Sequence, residues 1–220
     1  ARGTVTAKML NAKQQRRNFT LGVLNGVFVQ PANAFMDPNL VLSWFLAQLG
    51  VSNILIGLVT PIRMGSSFLL QMLISSHLQR KAYKLPFYRR VAVLRCTLLL
   101  CIAAVVAFIP QESPWIVIGF FALLVIYSLV SGLMALPFMD IVAKMIPTRR
   151  RGSFFAQRSF WGNILVLGAS AVVGYLLSEP AGLQFPVNVA LLFVLAAVFY
   201  GLTSISLSFV HEPTGETKSD

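Results

Sequence analysis

The chain has 220 residues and a mean hydropathy of +0.74, with 56% hydrophobic and 11% charged residues, whereas soluble domains carry about 25% charge. This balance excludes an ordinary soluble domain and predicts an integral membrane protein. The net charge of +11 does not predict a nucleic-acid partner, because the Lys and Arg residues lie in blocks between apolar runs.

Residues 1–17 form a polar, basic arm suited to the anionic cytoplasmic face of a bilayer. Asn18-Phe19-Thr20 matches a glycosylation sequon but falls on the predicted cytoplasmic side, so it is discounted. The first helix is predicted over 18–46. It carries Gly22, Asn25, Gly26, Gln30, Pro31, Asn33, Asp37 and Pro38 along a single span. A proline inside a helix removes a backbone hydrogen bond and clashes with the preceding turn, so a kink is expected near Pro31 or Pro38. Gly22 and Gly26 form a small-xxx-small face for close contact with another helix.

The second helix is predicted over 52–77 and carries Arg63, Ser66, Ser67 and Gln71. Between Asn18 and Gln79, Asp37 and Arg63 are the only charges, and they are equally far along the chain from Gly50. At about 1.5 Å of rise per residue, each lies roughly 15 Å below the turn joining the two helices, near the middle of a hydrocarbon layer about 30 Å thick. A lone charge there costs about 2.5–3.5 kcal/mol on insertion scales, so the two are expected to pair, to face a water-filled cavity, or both.

A basic loop, 79–90, includes Arg80 and leads into a third helix over 91–109. That helix is almost featureless except for Arg95, read as snorkelling to the cytoplasmic end, and a peripheral place is expected. Cys96 and Cys101 are read as reduced packing residues. After a short outer loop with Trp115 at the interface, the fourth helix, 115–139, carries Tyr127, Ser128, Ser131, Gly132 and Pro137, and Asp140 closes it. The loop 141–157 contains Arg149-Arg150-Arg151-Gly152. The fifth helix, 155–177, opens with Arg158 and carries Gln157, Trp161 and Asn163. Asp140 and Arg158 are equidistant from Arg149, so a second matched pair is expected at the membrane edge. The sixth helix, 187–210, is uniformly apolar and is also expected at the periphery. Residues 211–220 begin a polar linker.

The domains predicted are thus a basic arm over 1–17, a six-helix transmembrane bundle over 18–210, and the start of a cytoplasmic linker over 211–220. The alternation of basic and non-basic loops puts both chain ends in the cytoplasm. The six spans form two triplets of opposite direction. In each, the first helix is polar and Pro-interrupted and the third is bland, as an inverted-repeat transporter requires. Cavity candidates are Asn25, Gln30, Asn33, Asp37, Arg63, Gln71, Tyr127, Ser131, Trp161 and Asn163. Structural or gating charges are Arg80, Asp140, Arg151 and Arg158.

Leu49-Gly50-x-Ser52-x-x-x-Ile56-Gly57, Pro147-x-x-x-Arg151-Gly152-x-x-x-Ala156 and Glu212-Pro213 together resemble the N-terminal six-helix half of a major facilitator superfamily transporter. The resemblance implies an all-α membrane fold of two inverted three-helix repeats, half of a twelve-helix whole. It also implies a small-molecule substrate moved by alternating access, a second six-helix half, H+ or another coupling ion, no cofactor, and residence in a plasma (bacterial inner) membrane. The chain departs from the family pattern in the loop after the second helix, where Ser75-x-x-x-Gln79-Arg80 replaces the start of the family's motif and its acidic residue. No HExxH, Gly-x-Ser-x-Gly or phosphate-cradling loop appears, so an enzyme is not expected. The rival reading is a membrane scaffold or sensor that keeps the fold without transporting.

Overall fold

The computed structural model describes residues 11–79, 83–178 and 182–213, and only the backbone of 69–79. Eight α-helices run through it: α1 Ala12–Phe35, α2 Ser43–Gln48, α3 Asn53–Gln79, α4 Leu85–Phe108, α5 Pro114–Gly132, α6 Ala135–Met145, α7 Thr148–Leu176 and α8 Val187–Ser208. A π-helical turn, Pro38–Leu42, leads from α1 into α2. No strand occurs among the described residues. Four helical stretches there are long and apolar enough to cross a membrane: α4, the α5–α6 pair (Pro114–Met145), α7 and α8. This is the make-up of a membrane protein. The amides Asn18, Asn25, Gln30 and Asn33 keep α1 from being among the four.

Two of the long helical paths are broken, each ahead of a proline. Residue 37 precedes Pro38, where ring sterics disfavour helical backbone, and Asp37 is extended at φ −62° and ψ 123°. Its carboxylate restarts the chain by accepting from the N–H groups of Asn39 and Leu40, at 2.9 and 2.8 Å. The kink is therefore at Met36–Pro38, and Pro31 sits inside an unbroken α1. Pro137 lacks the N–H that would bond the carbonyl four residues back, at Leu133, and α5 ends one residue before that, at Gly132.

The predicted loops are shorter in the structure. Pro86 lies in the first turn of α4, where N–H groups have no partner within the helix, so most of the 79–90 loop shrinks into helix. Arg149 to Gly152 belong to the first turns of α7.

The main interhelical packings are α1 on α7 and α8, α4 on α8 and α5, and α3 on α5. In space the order is α7, α1, α8, α4, α5, α3, an arc with α7 and α3 at its ends. This corrects the expectation that the third and sixth spans, α4 and α8, are peripheral. They form the middle of the arc, with half of the most apolar stretch of α8 buried against 22% for α7.

The contacts are close where glycine allows it. A Cβ on Gly22 would stand 2.7 Å from the Phe154 ring, and one on Gly26 would overlap the side chain of Arg158. Gly162 on α7 faces Gln30 and the Gly26 carbonyl of α1. Gly132 on α5 similarly lies against the backbone of Ser67 on α3. The expected Gly22/Gly26 face is therefore present, and its partner is α7.

Candidate functional site

The break in the first helix opens onto a cavity of about 540 Å³. Its wall takes Val29, Asn33, Asp37, Pro38 and Asn39 from the first helical path, Thr60, Arg63, Met64, Ser67 and Phe68 from α3, and Tyr127, Ser128, Ser131 and Gly132 from α5. Arg95 of α4 and Tyr200 of α8 complete its wall. A second cavity of about 440 Å³ lies between α1 and α7. It is lined by Gln30, Asn33, Asp37, Ser170 and neighbouring apolar groups, so Asn33 and Asp37 stand between the two spaces.

Asp37 and Arg63 both face the larger cavity, yet among the described residues no ion pair joins them. The carboxylate is occupied by two backbone N–H groups. The Arg63 guanidinium instead donates to the carbonyl of Met36, left free where α1 ends. Both charges are thus at the break and share a level, as their equal spacing from Gly50 requires, but each is held by backbone. The pairing expectation is corrected to this arrangement.

Of the other cavity candidates, Tyr127 and Ser131 line the larger space and Gln30 the smaller. Asn33 accepts a 2.6 Å hydrogen bond from the Tyr200 hydroxyl. Asn25 lines neither space. It is buried, and its amide donates to the Tyr88 hydroxyl at 3.2 Å and the Thr203 carbonyl at 2.8 Å, pinning α1 to α4 and α8. Trp161 is 52% exposed on α7 against Phe160, Asn163 is exposed on the same helix, and neither lines either of these two cavities. The side chain of Gln71 and all of Arg80 lie outside the described residues.

The charges at the opposite end of the bundle are also redistributed. Asp140 pairs with Lys84 of the turn before α4, not with Arg158. Arg158 lies in the notch left by Gly26, its Cζ 4.3 Å from the Phe138 ring centre. Its longer reach toward Asp140 is replaced by packing against α1. Arg151 caps α6 by donating to the carbonyls of Ile146 and Ala143, at 3.2 and 2.9 Å. Glu212 accepts from the N–H groups of Lys84 and Leu85 at 2.9–3.0 Å and from the Lys144 ammonium at 2.8 Å, so residues 211–213 are anchored. The sequon Asn18 is fully buried and exchanges two hydrogen bonds with the backbone of His211, at 2.9 and 3.0 Å.

Arg95 departs furthest from its expected position. It does not reach the end of its helix; it is 6% exposed, with its Cζ 3.9 Å from the Tyr200 ring centre. The signal was present in the sequence. Tyr88, Val91, Ala92, Arg95, Leu99, Ile102, Ala103 and Val106 repeat at helical spacing and form the buried stripe of α4, with Arg95 in the stripe. Asn39, Thr60, Ser67 and Tyr200 also line the cavity without having been anticipated. No family model, curated protein or solved structure matches the chain.

Proposed function

We propose that this chain is one six-helix half of a secondary transporter of the major facilitator type, moving a small solute by alternating access. The observation that carries the reading is the cavity at a broken helix, where an acid and a guanidinium take up backbone groups that the helix leaves unpaired. Irregular backbone at membrane depth is tolerated where it lines a cavity, and carriers place their sites there.

The helix packing supports the same reading. Counting α1–α2, α3, α4, α5–α6, α7 and α8 as six spans, exchange of the first three with the last three carries every main packing into another. The α1–α7 contact becomes α5–α3, α1–α8 becomes α5–α4, and α4–α8 maps onto itself. The breaks correspond too: eleven helical residues follow each, the π-helical turn with α2 in one case and α6 in the other. In this reading a second six-helix half covers the side of the arc that bears the cavity.

The test is solute exchange by the whole protein in proteoliposomes. Vesicles are loaded with a metabolite extract, and the solutes that cross are identified by mass spectrometry. Protein-dependent exchange of at least one small solute, lost in Arg63→Gln, is expected. Retained folding with no exchange of any solute overturns the carrier reading in favour of a scaffold or sensor.

A further inference from the structure

Arg95 combines features that a packing role does not require together. Its guanidinium is buried on the cavity wall, and its Nε and Nη2 atoms have no hydrogen-bond partner among the described residues. Those two N–H groups form one edge of the guanidinium fork, the edge that takes both oxygens of a carboxylate in parallel. The Tyr200 ring at 3.9 Å supports the flat face and leaves that edge without an acceptor. A buried charge with unfilled donors is costly, and intramembrane arginines characteristically mark a solute path.

The rest of the wall favours the same sign of ligand. Two guanidinium groups, Arg63 and Arg95, face the cavity with one carboxylate, Asp37, and that carboxylate is already bonded to two backbone N–H groups. Ser131 adds a buried hydroxyl that has no partner among the described residues. The cavity, about 540 Å³, falls within the roughly 300–1,000 Å³ of small-molecule sites.

We propose that the cavity binds a small organic carboxylate, its charge shared between the guanidinium groups of Arg95 and Arg63. This rests on the carrier reading for its purpose but not for its test, which reads binding without transport.

The whole protein in detergent is titrated with acetate, succinate and benzoate, each against its neutral amide, and melting temperature is recorded. A concentration-dependent rise with at least one carboxylate and none with its amide is expected. Arg95→Gln weakens that carboxylate about tenfold or more, as loss of hydrogen bonds to a charged group implies, and Arg95→Lys, which keeps the charge without the fork, falls between. If Arg95→Gln does not fold, Arg63→Gln and the acid-against-amide comparison decide alone. No stabilisation by any of the three carboxylates, or equal stabilisation by acid and amide, overturns the proposal. Carboxylate binding without solute exchange leaves it standing and removes the carrier reading; exchange of neutral or cationic solutes only does the reverse.

Discussion

The guanidinium of Arg63 on α3 donates to the carbonyl of Met36, the residue just before Asp37, and not to the Asp37 carboxylate. Each charge at the helix break therefore completes a backbone end. Arg63 takes a carbonyl that α1 has released, and Asp37 takes N–H groups that the next turn has yet to pair. Loss of one does not leave the other as an orphaned member of an ion pair.

The consequence is measurable in a double mutant. Arg63→Gln should destabilise by freeing the Met36 carbonyl, whether or not Asp37 is replaced, and the double mutant should not recover solute exchange that either single change loses. A compensating double mutant would reinstate the ion pair. The measurements are thermal unfolding in detergent and exchange in proteoliposomes.

Capping makes a second prediction at the same residue. Asparagine retains an oxygen able to accept from Asn39 and Leu40, so Asp37→Asn should stay near wild-type stability. Asp37→Ala should lose about 0.5–2 kcal/mol. Equal losses for the two would show that the charge, and not the acceptor, holds the break.

Gly26 is a test of the α1–α7 contact. Any Cβ there overlaps Arg158, so Gly26→Ala should destabilise by about 1–3 kcal/mol, the usual range for overpacking. Gly57 on α3 has no atom within 4 Å of an added Cβ, so Gly57→Ala should be neutral or slightly stabilising through helix propensity. Thermal unfolding of the two variants side by side checks the contrast.

At the far end of the bundle, Glu212→Ala leaves the N–H groups of Lys84 and Leu85 without their acceptor at the start of α4. The side chain is almost fully buried, at 3% exposure, so the loss should be about 1–3 kcal/mol. Limited proteolysis should then cut faster after Val210, just beyond the end of α8. Unchanged cleavage would remove Glu212 from the anchoring of that segment.

How far the sequence revealed this arrangement depended on whether the signal was local. The breaks were legible because Pro38 and Pro137 act on their own backbones, and Asp37 and Arg63 were legible as a level because a hairpin preserves distance from its turn. The close α1 contact was visible in Gly22 and Gly26, although their partner was not. Pairings across helices were hidden. Equal spacing from Arg149 suggested Asp140 with Arg158, but helix rotation turns Arg158 into the Gly26 notch and leaves Asp140 to Lys84. Arg95 is near enough to the helix end to suggest snorkelling, but its place within the apolar stripe of α4 turns it inward.

The arc has consequences for motion. Arg63 rides on α3 at one end of the arc, while Arg95 sits in the middle, wedged against Tyr200 of α8. A tilt of α3 would draw the first positive centre away from Met36 and leave the second in place. The gap between the two guanidinium groups would report any such tilt.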